Sequence, residues 1–323
     1  MKKSLIALAV AGALTAPMVA QADATLYGKL EAVLQAKEDN DVDLFMDDVI
    51  FGLKGSADTS VEGLTAIYKI EVELNEGKGP EGVTSEDGSV ATRYAYVGAT
   101  GAFGTVLAGR IANPTDVVEG YGDVSNKAGQ LYYNADRVGS ALAYLSPSMS
   151  GFDFYVATVM DGSTLGEEET DGDFDSAKDV DAYILGANYM VGDLSLSVGY
   201  WDMDSNGTGT YSEIDNNILV GGSYAFGPLT LGLSYEQASY EAANTDDYEL
   251  YGVSAVYTAG AAAPYIMYSE AEQGSADADE WALGLNYALG KKAGVGIEYS
   301  SVDSDTGFKD EGDQFNVSYT VKF

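Results

Sequence analysis

Apolar and polar residues alternate one for one in segment after segment of this chain, and that periodicity restricts its fold more than any other feature. In "TLYGKLEAVLQAK" Leu26, Gly28, Leu30, Ala32 and Leu34 fall on one side of an extended backbone, and Tyr27, Lys29, Glu31, Val33 and Gln35 on the other. The last nine residues, "FNVSYTVKF", set Phe315, Val317, Tyr319, Val321 and Phe323 against Asn316, Ser318, Thr320 and Lys322. Strand side chains point to opposite faces with period two, whereas a helix would scatter these residues around its circumference. Each such strand has one face suited to an apolar medium and one suited to water.

The joints between segments are of two kinds. Short Gly- or Pro-containing turns, such as "GAFG" at 101–104, "PSMSG" at 147–151, "VGD" at 191–193, "FGP" at 226–228 and "GKK" at 290–292, alternate with longer acidic connections. The long ones fall at 38–45, 76–90, 112–136, 162–179, 204–213, 242–246, 273–278 and 304–310. Short turns at one end and long loops at the other are the construction of a transmembrane barrel. The count is about sixteen strands, an even number that brings both termini to the short-turn end. "QLYYN" at 130–134 reads as part of the third long loop, since a strand there would make the count odd. A soluble β-sandwich also alternates. Strands of roughly 10 to 12 residues and 24 tyrosines suited to interfacial girdles favour the membrane barrel, in which no strand edge remains unpaired.

Composition narrows the chemistry. Residues 1–22 carry two lysines, an apolar run and the small-residue site Ala20-Gln21-Ala22, which read as a cleaved signal peptide and leave 23–323 as one barrel domain. Beyond Ala22 no apolar run approaches the ~20 residues of a spanning helix. There is no cysteine and no histidine, which removes disulfides, thiol chemistry and the commonest general base and metal ligand. Among 51 acidic residues no carboxylate pair has a spacing that singles it out, so an enzyme is not expected. The formal charge of −35 disfavours nucleic acid as a partner and implies a surface that concentrates cations. One acidic loop, "DMDSNGTGTYSE", matches the D-x-D-x-N-G-x5-E calcium pattern with Asp202, Asp204, Asn206 and Glu213, although strands flank it where an EF-hand has helices.

Alternation also fixes which charges face inward. Lys29, Glu31, Lys69, Glu71, Glu73 and Arg93 lie on the polar faces of their strands, and placing a Lys or Arg at mid-bilayer would cost ~2–4 kcal/mol each.

Several fragments, taken in order, resemble the general diffusion porins of Gram-negative outer membranes: "TLYGKLE", "FGLKGSAD" at 51–58, "TRYAYVGATGAFGTVLAGR" at 92–110, "SPSMSGFDF" at 146–154 and the terminal Phe323. The resemblance implies a homotrimer of 16-stranded antiparallel transmembrane β-barrels. Each barrel would hold a water-filled pore narrowed by an inward-folded third loop. It carries the basic wall over to Lys29, Arg93 and Arg137, and the acidic side of the loop to Asp116, Glu119 and Asp123. Glu31, Lys69 and Glu71 would line the lumen. Two positions depart from the family pattern: Ile50 stands where an arginine is usual, and "VEGYG" at 118–122 replaces a "PEFGG"-like run.

The expected function is passive, cation-preferring diffusion of ions and small hydrophilic solutes. No cofactor is required, while Ca2+ or Mg2+ on acidic outer loops and bridging to lipopolysaccharide are further expectations. The resemblance also implies that Phe323 is read by the barrel-insertion machinery. A plugged barrel serving as a structural or adhesive surface protein is the alternative, and a secreted calcium-binding β-protein a third reading.

Overall fold

The computed structural model describes residues 24–74, 90–129, 131–132, 135–160, 179–203, 214–240, 245–305, 308–309 and 311–323. The expected signal peptide lies outside the described residues, as do Asp204, Asn206 and Glu213 of the calcium-like motif.

Sixteen strands are present among the described residues. The first eight are β1 (Thr25–Lys37), β2 (Asp43–Asp58), β3 (Leu64–Leu74), β4 (Val90–Gly101), β5 (Gly104–Ala112), β6 (Arg137–Leu145), β7 (Phe152–Val159) and β8 (Ala182–Val191). The second eight are β9 (Leu194–Met203), β10 (Ile214–Phe226), β11 (Leu229–Tyr240), β12 (Tyr248–Tyr257), β13 (Ala262–Gln273), β14 (Ala276–Ala288), β15 (Ala293–Ser304) and β16 (Gly312–Lys322). Each strand pairs with the next, and β16 returns antiparallel to β1, with Lys322 opposite Lys29 and Tyr319 opposite Ala32. Closure satisfies the backbone groups that an open sheet would leave bare in hydrocarbon.

The alternation read from the sequence sorts the two faces. Val97, Leu233, Val253, Leu283 and Ile297 point outward and are exposed on the isolated chain, where acyl tails would cover them. One connection differs from expectation. Residues 273–278 do not form a long loop: β13 and β14 run into a tight hairpin whose Gly274 has φ +64, a left-handed value that glycine adopts without strain.

The inner face is not uniformly polar, which corrects the expectation of water along all of it. On β8, β9, β10 and β12 the inward residues Ile184, Trp201, Leu219 and Leu250 are buried. They form one apolar cluster with Val118 and Leu131 of the segment joining β5 to β6. The described residues of that segment, 113–129, 131–132 and 135–136, therefore lie against the inner wall, and apolar burial holds them there. It contains a one-turn helix, α1 (Glu119–Gly122), which falls within the "VEGYG" stretch. Its contacts run along β10, β11 and β12. Gly232 of β11 makes the approach possible, since a Cβ there would stand 1.9 Å from the Tyr121 carbonyl oxygen.

Candidate functional site

The loop 113–136 is closed on itself at its neck and fastened to the wall at its middle and its tip. At the neck the Asn113 amide donates to the Asp136 carbonyl at 2.8 Å, closing the base of the loop. In the middle the Trp201 indole N–H donates to Thr115 Oγ1 at 2.9 Å, and the Ser254 hydroxyl donates to the Tyr121 carbonyl at 2.7 Å. At the tip the carboxylate of Glu298, on β15, accepts the backbone amides of Asn126, Lys127 and Ala128 at 2.6, 3.0 and 3.1 Å. Glu280 of β14 accepts the Gly129 amide at 3.0 Å. Three loop amides converge on the buried Glu298 and a fourth on the buried Glu280, so these two side chains act as clamps.

Opposite the docked part of the loop, β1–β4 carry a lattice of charges. Arg93 reaches Glu71 at 3.1 Å and Glu73 at 2.6 Å, while Lys69 reaches Glu71 at 3.3 Å. The Tyr27 hydroxyl donates to Glu71 at 2.6 Å. The Tyr94 ring lies under the Lys69 ammonium, 3.3 Å from the ring centre, and 5.6 Å from the Arg137 guanidinium. Lys29 pairs with Glu31 at 2.9 Å and with Asp48. Lys127, from the loop tip, pairs with Glu31 at 2.7 Å and with Asp47. Burial alone would lower the Lys127 pKa, but its two carboxylate partners lift it above the ordinary lysine value.

Two β-bulges build this lattice. Across β3 and β4 the register steps from Glu71 opposite Tyr94 to Val72 opposite Thr92, leaving Arg93 as the extra residue. Arg93 is inward as expected, but not by the alternation on which that expectation rests: strict period two would place it on the same face as the outward Val97, and the bulge turns it inward onto Glu71 and Glu73. Across β1 and β2 the register steps from Leu30 opposite Val49 to Ala32 opposite Met46, so Asp47 and Asp48 together face the single residue Glu31. Adjacent residues of a regular strand cannot share a face, yet both of these carboxylates hold inner lysines.

The acids of the loop divide. Asp116, Glu119 and Asp136 bring carboxylate oxygens within 4.8 Å of one another, and Arg137 meets Asp136 at 3.3 Å. Burial, reinforced by Asp136, raises the Asp116 pKa to about 6. Burial, reinforced by Asp116, raises that of Glu119 to about 9. Asp123 does not face the wall as expected: its carboxylate folds back to accept the Ser125 amide at 2.7 Å and stiffens the loop tip. Arg137 also differs from an open lining residue, being only 2% exposed, because it begins β6 beneath the neck of the loop. Asp202 of the calcium-like motif is an exposed residue near the end of β9. A second carboxylate group, Glu31, Asp47 and Asp48, is close enough to hold a cation but already surrounds Lys29 and Lys127.

Asp47, Asp48, Lys127, Glu280 and Glu298 were not among the residues singled out from the sequence. Glu280 and Glu298 could have been found as charges on inward positions. The partnership with residues 126–129 has no local signature.

A sequence profile described as "Gram-negative porin" matches residues 7–307. The monosaccharide porin of a Halomonas species is 28% identical over 307 residues, covering 85% of this chain and 81% of that protein. Among solved structures, the trimer form of the outer-membrane protein OmpT of Vibrio cholerae superimposes with a TM-score of 0.70 at 20% identity, covering 94% of this chain and all of that one. The anion-selective porin of Comamonas acidovorans superimposes with a TM-score of 0.69 at 18% identity, covering 94% of this chain and 99% of that one.

Proposed function

The chain belongs to the Gram-negative porins, integral barrels of the outer membrane, and from that premise we propose that it is a cation-preferring diffusion channel for small hydrophilic solutes. The passage runs between the docked loop and the charged wall of β1–β4. A hydrated route of this kind spares a polar solute the cost of entering hydrocarbon.

One observation supports the ion preference above the rest: three basic groups beside the passage, two on the wall and one on the loop tip, are held by acids. Lys29, Lys127 and Arg93 each contact two carboxylates. Their positive charge is spent within the lattice, and Asp116 and the acidic outer loops add negative charge beyond it. Clefts of one sign concentrate the opposite ion. Selectivity is a property of these side chains and not of the barrel, which this chain shares with a porin described as anion-selective.

Purified protein in a planar bilayer under a salt gradient tests the reading. A zero-current potential of the sign for cation preference supports it, and one of the opposite sign overturns it.

We further propose assembly as a homotrimer, a form in which a structural neighbour was solved, with recognition of Phe323 during insertion. Ca2+ or Mg2+ at the acidic loops, bridging to lipopolysaccharide, would raise the melting temperature in a chelator-sensitive way.

A further inference from the structure

Every ion-paired lysine described above lies on or near the constricted wall. Three other lysines do not follow that pattern. Lys291 and Lys292 form the turn between β14 and β15, and Lys322 is the last residue of β16. Among the described residues no ion pair joins any of the three to a carboxylate. The chain has only 16 basic residues against 51 acidic ones, so leaving three cations together without counter-charge is unusual for it.

These three and Lys29 line a single recess of about 360 Å³ at the short-turn end of the barrel. Lys322 stands directly opposite Lys29 across the β1–β16 seam, and the Lys322 amide donates to the Lys292 carbonyl at 2.7 Å. Like charges directly opposite across strands repel and cost stability. Glu31 also lines the recess, but its carboxylate is already taken by Lys29, Lys127 and Thr320. The inward residues Gly294, Gly296 and Ser318 are too small to fill the space.

We propose that this recess is a binding site for a small multiply charged anion, a solute bearing a phosphate or paired carboxylates, at the inner mouth of the pore. The volume admits such a group, and three ammonium groups supply donors that nothing else in the described protein uses. A predominantly acidic passage would then end in a basic collar. An anion arriving from the short-turn side would dwell there, and its bound charge would obstruct the current.

The inference rests on the channel reading, and the two can fail separately. Inorganic pyrophosphate is added to one side and then the other of single wild-type channels in a bilayer. In parallel, it is titrated calorimetrically into the full-length protein in detergent, which needs no current. Expected is block from one side only, weakening as salt rises, with matching binding heat. K291Q/K292Q lies in an exposed turn and should fold, and it should raise the half-blocking concentration and the dissociation constant about tenfold. Lys37→Gln removes the same charge at the far end of β1 and should change neither. Unaltered binding in K291Q/K292Q, or equal block from both sides, overturns the proposal. Calorimetric binding without any conductance would keep the site and remove the channel. Attachment of the barrel to peptidoglycan through these lysines, with no pyrophosphate binding, would place them on the outer rim and overturn the proposal as well.

Discussion

The carboxylate of Glu298 accepts the backbone amide of Lys127 at 3.0 Å while the Lys127 side chain reaches across to Glu31 on β1. The loop tip is thus a bridge between β15 and the opposite side of the seam. Its position is set by a main-chain bond on one side and an ion pair on the other. Replacing Glu298 with alanine orphans three amides and should weaken docking of the tip by about 2–4 kcal/mol, since hydrogen bonds to charged groups are worth ~1.5–3 kcal/mol each and water recovers part of them. Single-channel recordings should show added open-channel noise, and unchanged noise would argue against the clamp.

Gly232→Val should displace the middle of the same loop. The new side chain would occupy the place of the Tyr121 carbonyl, which stands 1.9 Å from the added Cβ position. Helix α1 must then lift from β11 toward the passage. Conductance should fall, and the largest neutral polymer able to enter the pore should become smaller.

Titration of the loop acids gives a pH dependence with a defined sign. Asp116 is raised to about 6, so it gains negative charge as pH climbs from about 5 to about 7, and cation preference should increase over that interval. D116N should flatten the change in reversal potential. Glu119, raised to about 9, remains protonated at pH 7, so E119Q should leave selectivity at pH 7 unaltered.

The same shifts bear on stability. A carboxyl with a raised folded pKa binds a proton in the folded state at pH values where the unfolded chain has released it. Stability therefore falls as pH rises from the unfolded value through the folded one. Melting in detergent should decline from about pH 4.5 toward about pH 9, and E119Q should remove much of the alkaline part of that decline.

Arg93→Gln is expected to release Glu71 and Glu73 from their shared cation. Cation permeability relative to anion should rise, read again as a zero-current potential. Mutating Lys127 to Met should do the same by freeing Glu31 and Asp47, and should also loosen the loop tip.

The sheet was legible because its signal is local: Leu229, Leu231 and Leu233 identify an outward face from three residues alone. The inward register of Lys29, Glu31, Lys69 and Glu71 followed from the same rule. Bulges were not legible, since Arg93 reaches the lumen by breaking the rule and Asp47 and Asp48 share a face that alternation forbids. In hindsight the doublet in "FMDDVIF" is the one local sign of such a break. The apolar half of the interior was hidden for another reason. Trp201 and Leu250 look like misplaced residues on polar faces until Val118 and Leu131 arrive from a distant loop to cover them. Loop contacts are long-range in sequence, and period two carries no information about them.

The loop that leaves β5 finds its anchors on strands synthesised much later, from Trp201 on β9 to Glu298 on β15. A half-built sheet would therefore present unlidded hydrocarbon on what becomes its inside as well as on its outside. The inner of these two apolar surfaces is covered only once Val118 and Leu131 dock on it, so arrival of β9 to β12 is what hides it, whatever the state of the β1–β16 seam.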